Sequence, residues 1–176
     1  MYFSTEKEVW KDIEGYEGLY MVSSDGEVKR MERKVYPPNG GVGIMKERIL
    51  KGNANTSGYY RVFLSKDSKV KTKYIHRLVA KHFINNNNNY KEINHINGIK
   101  EDNRVENLEW VTREENVRHA LINNLSDAVL TTDEVDEILS RSEVRAKDFA
   151  KKFEVSESTI FSIRSGRTWS SYTGIK

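Results

Sequence analysis

The stretch that decides the fold covers residues 92–117 and reads EINHINGIKEDNRVENLEWVTREENV. Its first four residues predict a short strand that ends at His95, and residues 108–111 predict a second strand after a polar loop. Thr112 and Glu115 have the spacing of a capping box, which indicates that a helix begins directly after the second strand. Strand, loop, strand and helix together predict a ββα unit. Three apolar residues of this helix are expected to face inward: Val117, Ala120 and Leu121.

Residues 1–75 are predicted to form a β-rich module. Asp25-Gly26 supplies the positive φ that a hairpin turn needs between strands at 19–22 and 27–30. Residues 37–41, with two prolines and two glycines, are predicted to form a loop. Further strands are predicted at 48–50, 59–64 and 73–75, and a short helix after them carries Leu78, Val79 and Phe83 on one face.

Downstream of the ββα unit, the pattern predicts a linker and then three short amphipathic helices. The last two helices are joined by a tight turn at Glu154-Val155, which resembles a DNA-binding helix-turn-helix. Glu154 stands where a turn glycine is frequent. The fold class is therefore α+β, and we expect an elongated molecule. Its predicted parts are residues 1–75, the ββα unit in 76–122, a linker at 123–131 and the helix-turn-helix domain at 132–176.

Composition excludes several classes of function. The 176 residues include no cysteine, so disulfide staples, a thiolate nucleophile and a Cys-based zinc knuckle are ruled out. No window approaches the ~18 apolar residues of a membrane span, and the N-terminus lacks the pattern of a secretory signal. We therefore expect a cytoplasmic protein without a membrane partner.

Basic residues concentrate in one part of the chain. The net charge is only +3, but residues 45–82 contain ten Lys or Arg and two acids. This stretch is interleaved with Tyr59, Tyr60, Phe63 and Tyr74. It is typical of a surface that tracks phosphates, and the alternative is a solvated sheet face. The residues expected to contact DNA here are Arg61, Lys71, Lys73 and Arg77.

The ββα unit contains the residue types that phosphodiester hydrolysis needs. His95 suits the general base because histidine, with an ordinary pKa of ~6.5, is largely neutral at pH 7. Asn116 falls in the first turn of the helix, where backbone N–H groups favour a phosphate. Asn107 is placed to bond backbone across the loop and fix His95. The alternative is that His95 is an ordinary polar residue in a turn.

Several segments resemble the HNH nuclease motif, in the branch found in bacteriophage intron-encoded and free-standing homing endonucleases. The motif segments are residues 93–98, Asn103, residues 107–112 and Glu115-Asn116. Residues 10–13, 15–20 and 22–23 resemble the module that often precedes this nuclease. Residues 76–80 are similar to the helix before the motif.

This resemblance implies a role for each motif residue. His95 would be the general base, and Asn116 would be a ligand of one divalent metal, Mg²⁺ or Mn²⁺. Asn107 would brace the loop. Asn94 stands where relatives have an Asp or Asn metal ligand, and a neutral amide binds Mg²⁺ more weakly than a carboxylate does. Ile99 stands where Asn is common.

Further residues are expected to contact DNA. His119 lies three residues after Asn116 on the same helix face, and it is either a phosphate contact, an auxiliary metal ligand or a surface histidine. The second helix of the helix-turn-helix would face the major groove, unless the three helices form a small protein-binding bundle. Its expected contacts are Glu157, Ser158, Thr159, Ser162 and Arg164, followed by Arg167 and Trp169 on the DNA backbone.

These predictions combine into a metal-dependent, site-specific endonuclease acting on double-stranded DNA. We expect a monomer without an obligatory protein partner, and its single active site suggests nicking of one strand. One alternative is a DNA-binding regulator whose nuclease has decayed. Another is an RNA-binding protein that uses the basic β face and its tyrosines as stacking platforms.

Overall fold

The computed structural model describes residues 7–37, 40–123, 125 and 128–175. The chain divides into two compact units, residues 1–111 and 112–176. Helices and short antiparallel strands occur together, so the α+β prediction is confirmed. Positions 38 and 39 of the predicted loop and positions 124, 126 and 127 of the predicted linker lie outside the described residues. None of the described helices combines the length and apolar character that a membrane span needs.

The first unit contains eleven strands in four antiparallel sheets among its described residues. Their orders are β1-β2-β3-β6, β4-β5, β7-β8-β9 and β10-β11. The strands are β1 (Trp10–Asp12), β2 (Tyr20–Ser23), β3 (Val28–Arg30), β4 (Arg33–Val35), β5 (Gly43–Met45), β6 (Arg48–Ile49), β7 (Asn53–Ala54), β8 (Tyr60–Lys66), β9 (Lys69–Tyr74), β10 (Glu92–His95) and β11 (Leu108–Val111). Helix α1 (Ile75–Phe83) follows β9, and a 3₁₀ turn (Val105–Asn107) precedes β11.

The first predicted hairpin forms as expected. Strands β2 and β3 pair with Val22 opposite Val28, and Gly26 takes a φ of +85° in the turn. The strand predicted at 73–75 ends one residue early, because Ile75 begins α1.

Helix α1 is the centre of the first unit's core. Its buried face carries Leu78, Val79 and Ala80, and Phe83 packs against the same cluster. Burying one such Leu or Val side chain contributes roughly 1.5–3 kcal/mol. Because α1 packs against β8, β9, β10 and β11, it holds the β10–β11 hairpin in a fixed place on the unit.

The second unit is helical. Its elements are α2 (Arg113–Ile122), α3 (Thr132–Ser140), α4 (Ala146–Lys152), α5 (Glu157–Arg164) and a short α6 (Ser170–Thr173). The three helices predicted for the C-terminal domain are α3, α4 and α5. They enclose a core whose most buried side chains include Val135, Ile138, Phe149, Ile160 and Ile163.

Helix α2 begins as predicted but lacks the predicted apolar face. The side chain of Thr112 accepts a hydrogen bond from the Glu115 backbone N–H, and the side chain of Glu115 accepts one from the Thr112 backbone N–H. None of the residues of α2 is buried, and Val117 is 41% exposed. The prediction that Val117 faces inward is therefore wrong. Its neighbours on the predicted face, Ala120 and Leu121, are half-buried.

The turn between α4 and α5 contains a strained residue. Glu154 takes a φ of +55°, in the left-handed region that costs a non-glycine residue about 1–2 kcal/mol. Replacing Glu154 with glycine should therefore raise the free energy of unfolding of this unit by about 1 kcal/mol, after the entropy cost of glycine. Urea unfolding followed by circular dichroism measures this change.

Glu154→Ala is the matched control, since it removes the charge and keeps the strain. Equal stability of the glycine and alanine variants would contradict the strain at position 154.

Candidate active site

In the β10–β11 hairpin, the motif residues Asn94 and His95 lie on opposite faces of the two-stranded sheet. Asn94 lies directly across from Glu109, and His95 lies across from Leu108. Because directly opposite residues share one face of a sheet, His95 is on the face of the buried Leu108. Asn94 and Glu109 are on the other face.

The loop between the two strands is braced by Asn107. Its side-chain oxygen accepts the backbone N–H of Asn97 at 2.9 Å, and its side-chain nitrogen donates to the backbone oxygen of Asp102 at 2.8 Å. The Asn107 backbone oxygen also accepts the N–H of Ile96. One side chain therefore joins both ends of the loop and fixes the backbone that follows His95.

His95 is 5% exposed, and one of its ring nitrogens contacts the side-chain amide of Asn103. Its Nε2 lies 3.4 Å from the side-chain oxygen of Asn103. The orientation of Asn103 is set by its nitrogen, which donates to the backbone oxygen of Glu101 at 2.9 Å. Since an amide oxygen can only accept, Nε2 carries the hydrogen of a neutral ring. Nδ1 is then the nitrogen with a free lone pair for a proton.

Burial lowers the pKa of His95 below its usual value, because the charged ring loses its water. The hydrogen bond with Asn103 and the charge of Asp102 act in the opposite direction, and Lys100 lowers the pKa further. The net lowering keeps the ring neutral at pH 7, which is the state that a general base requires.

A second histidine packs against His95. The rings of His76 and His95 meet edge-on, with centroids 5.4 Å apart, and Tyr59 lies 5.0 Å from His76 and 6.0 Å from His95. His76 is buried, and its Nδ1 has no hydrogen-bond partner among the residues that the structure describes. Burial lowers the pKa of His76 to about 3, with smaller contributions from His95 and Arg77.

This low pKa predicts a loss of stability in acid. Unfolded His76 binds a proton below pH 6.5, whereas the folded ring does not until the pH falls to about 3. The unfolded state therefore gains stability as the pH falls through this window. Between pH 7 and pH 5 the loss from this residue should be about 2 kcal/mol.

His76→Phe is the comparison, because phenylalanine fills the ring volume without titrating. Urea unfolding at both pH values should show a larger acid loss for the wild type than for this variant. Parallel losses in the two proteins would argue against a neutral His76.

The β2–β3 turn touches the loop of the candidate site. A Cβ added to Gly26 would lie 2.8–2.9 Å from the Cβ and backbone of Asn103. The backbone N–H of Val105 also donates to the oxygen of Ser24 at 2.8 Å. The N-terminal hairpin thus supports the residue that faces His95.

Replacing Gly26 with alanine should lower the free energy of unfolding by about 2–4 kcal/mol, because it adds a left-handed Cβ and an overlap with Asn103. Gly15→Ala is the matched control, since Gly15 has a φ of +79° and nothing within 4 Å of an added Cβ. It should cost only about 1–2 kcal/mol. Denaturant unfolding compares the two variants, and equal losses would contradict the close approach.

A metal at this hairpin would be bound by oxygen atoms from few protein groups. No cluster of three or more His, Asp or Glu side chains that could hold a metal occurs in the described part of the chain. The side-chain nitrogen of Asn94 donates to Glu109 at 2.9 Å, which leaves the amide oxygen of Asn94 as the atom suited to a cation. Mg²⁺ prefers oxygen and keeps several waters, so this donor chemistry fits it.

Comparison with known proteins matches two families in chain order. Residues 8–65 match the NUMOD4 motif, and residues 73–118 match the HNH endonuclease family. The second match contains His95, the braced loop and both strands of the hairpin. This chain carries an HNH endonuclease domain.

Relatives of this HNH domain include characterised and uncharacterised proteins. DNA endonuclease I-HmuI of Bacillus phage SP01 is 43% identical over 74 residues, which cover 42% of this chain and 35% of that protein. Uncharacterized HNH endonuclease L247 of Acanthamoeba polyphaga mimivirus is 41% identical over 161 residues, covering 89% of this chain and 36% of that protein. The chain thus spans about a third of the length of these curated relatives.

The solved structure described as "DNA binding and cleavage by the HNH homing endonuclease I-HmuI" resembles this chain with a TM-score of 0.54 and 27% identity. The likeness covers 88% of both chains. The chain is therefore homologous to I-HmuI, with a NUMOD4 motif before its HNH domain.

The remaining predicted residues of the HNH domain lie on α2. Asn116 is half-buried in the first turns of this helix, and His119 is half-buried one turn later. Both belong to the second unit. The predicted approach of Asn116 to His95 and the role of His119 stay predictions.

The basic residues before the HNH domain are divided between two faces of the β8–β9 sheet. Lys71 and Lys73 lie opposite the buried Leu64 and Val62, whereas Arg61 lies opposite Tyr74 on the other face. The predicted DNA-contacting set therefore does not form one continuous patch on this sheet. Lys71 and Lys73 belong instead to a lysine groove, defined by Lys66, Lys69, Lys71, Lys73 and Lys81. Its lining also includes Asp67 and Glu14, which forms an ion pair with Lys81. Arg77 is exposed, and its guanidinium donates to the backbone oxygen of Lys91.

In the second unit, two predicted DNA contacts have structural roles. The Arg164 guanidinium donates to the backbone oxygens of Arg141 at 3.0 Å and Val144 at 2.8 Å and lies over the Phe149 ring. Trp169 packs against the helical core. Arg164 therefore links α5 to the end of α3 and the loop after it, and its predicted contact in the major groove stays a prediction. The other predicted contacts, Glu157, Ser158, Thr159, Ser162 and Arg167, are exposed or half-buried.

Sequence reasoning missed three contacts of His95 and Asn94, although it included Asn103 among the motif residues. Asn103 and His76 contact His95, and Glu109 contacts Asn94. Only the last carried a usable signal, because pairing the two predicted strands from His95 and Leu108 outward places Glu109 opposite Asn94. A further exposed aromatic, Phe161, lies on α5 among the predicted DNA contacts and is 57% exposed.

Proposed function

We propose that this protein is a metal-dependent, site-specific DNA endonuclease in which His95 is the general base. One observation carries the proposal: His95 is buried, and its Nε2 lies 3.4 Å from the side-chain oxygen of Asn103 in a segment that matches the HNH endonuclease family. The named activity of I-HmuI, a DNA endonuclease, supports the same reaction for this chain.

Each residue has a distinct part in this mechanism. Nδ1 of His95 takes a proton from the water that attacks the scissile phosphate. Asn103 keeps the hydrogen on Nε2 and so reserves Nδ1 for that proton. Asn107 is a positioning residue, because its bonds to Asn97 and Asp102 fix the loop that follows His95.

HNH endonucleases generally use a divalent metal. We propose one Mg²⁺ or Mn²⁺ per active site, with the amide oxygen of Asn94 as one ligand and Asn116 as the other. When bound, the cation would offset negative charge on the phosphate and leaving oxygen. Asn94 contributes no charge to this site.

We propose double-stranded DNA as the substrate and partner. The lysine groove offers phosphate contacts in the first unit, and the exposed face of α5 offers base contacts in the second. As part of the same proposal, the protein acts as a monomer in the cytoplasm and nicks one strand. Tethering two weak DNA-binding parts in one chain raises their joint affinity.

A plasmid library with a random duplex insert tests the function directly. With Mg²⁺ present, supercoiled plasmids should be converted to the nicked form. Sequencing of the nicked plasmids should show nicks at one preferred site. Competition with unlabelled duplex DNA should suppress cleavage more strongly than competition with single-stranded RNA. The proposal would be overturned if no plasmid in the library is nicked. It would also be overturned if single-stranded RNA suppresses cleavage clearly more strongly than duplex DNA does.

A further inference from the structure

A carboxylate lies directly beside the neutral amide of the candidate metal site. The side-chain nitrogen of Asn94 donates to Oε1 of Glu109 at 2.9 Å, and Asn94 is only 6% exposed. Strand pairing fixes this contact, because Asn94 and Glu109 are directly opposite residues of β10 and β11. The hairpin therefore presents the two side chains as a unit.

The chemistry of the pair fixes the amide orientation. An ionised carboxylate only accepts hydrogen bonds, so the NH₂ group of Asn94 must face Glu109. The amide oxygen then points away from Glu109. A hydrogen bond to an ionised acceptor is about twice as strong as a neutral one, and it polarises the amide toward negative charge on its oxygen.

We propose that Glu109 is a positioning residue of the metal site, which orients Asn94 and supplies the negative charge that Asn94 lacks. This inference rests on the proposed function, in which the Asn94 oxygen binds the cation. It explains how an amide serves at a position where a carboxylate would bind Mg²⁺ more tightly.

The negative charge of Glu109 is available for this role. Within residues 7–37, 40–123, 125 and 128–175, no Lys, Arg or His forms an ion pair with Glu109. By contrast, the nearby carboxylates of Asp102 and Glu106 both pair with Arg104. Replacing a residue that holds a metal ligand in this way typically weakens metal binding by about 10–100-fold.

Direct Mn²⁺ binding to the full chain without DNA tests the inference, with free Mn²⁺ measured by electron paramagnetic resonance. Glu109→Gln keeps an oxygen that can accept the Asn94 N–H and removes only the charge. It should weaken Mn²⁺ binding by about tenfold. Glu101→Gln is the matched control, because it removes one exposed carboxylate from the loop between β10 and β11, and it should leave the affinity unchanged.

A reciprocal exchange separates the role of the pair from simple loss of charge. In the double variant Asn94→Asp/Glu109→Gln, the new amide at position 109 donates to the new carboxylate at position 94, and the charge moves onto the ligand itself. This double variant should bind Mn²⁺ at least as tightly as the wild type. Circular dichroism checks that each variant is folded.

The outcomes distinguish the two levels of the proposal. If the wild type and Glu109→Gln bind Mn²⁺ equally well, the proposed role of Glu109 is overturned, whereas the proposed endonuclease function is unaffected. If the double variant is as weak as Glu109→Gln, the pairing is likewise overturned. A wild type that binds no Mn²⁺ would overturn the inference together with the metal site.

Discussion

His95→Ala should nick duplex DNA about 10²–10⁴-fold more slowly than the wild type, because the attacking water loses its general base. The variant should still bind target DNA, since His95 is buried and contributes no charge at pH 7. Single-turnover nicking of supercoiled plasmid measures the first effect, and a gel-shift assay with a chelator present measures the second.

Asn103→Ala provides a graded comparison. It retains the imidazole but removes the acceptor of the Nε2 hydrogen, so both neutral forms of the ring become accessible. The expected loss is about fivefold, which corresponds to the loss of one hydrogen bond of about 1 kcal/mol. If His95→Ala nicks as fast as the wild type, the nuclease assignment fails.

Removal of divalent metal should lower the nicking rate by about 10³-fold or more, because several kcal/mol of charge stabilisation are lost. Adding Mg²⁺ or Mn²⁺ back should restore the rate. The chain has no cysteine and, among its described residues, no cluster of three or more metal-binding His, Asp or Glu side chains. Chelation should therefore leave the fold intact, which circular dichroism checks.

DNA binding in the chelator is the control for this experiment, and it should persist. Nicking that continues at the same rate after exhaustive chelation would contradict a metal-dependent reaction. DNA cleavage would then have to depend on His95 and the basic side chains without a metal.

The parts of the fold that local sequence determines were predictable. The capping box of Thr112 and Glu115 and the Asp25-Gly26 turn depend on residues within a few positions of one another. Both form as predicted. The strands β10 and β11 form where they were predicted, and the opposed positions of Asn94 and Glu109 follow from their antiparallel pairing.

The parts that depend on distant packing were not predictable. His76 reaches His95 only because α1 packs beneath the hairpin, and Arg164 turns inward because three backbone oxygens from α3 and the loop after it surround its guanidinium. Lys71 and Arg61 were grouped by sequence proximity, but the pairing of β8 with β9 puts them on opposite faces. Each of these outcomes requires knowledge of which elements pack together.

The contact between Gly26 and Asn103 has a consequence for how such proteins can be recombined. The segments that match NUMOD4 and HNH are separate families, yet a hairpin tip from the first rests on the loop of the second. A chimera that takes these segments from different parents must inherit compatible residues on both sides of this seam. Grafting the HNH segment alone onto a new DNA-reading module would remove the Ser24 acceptor of the Val105 amide and the contact that supports the loop between β10 and β11.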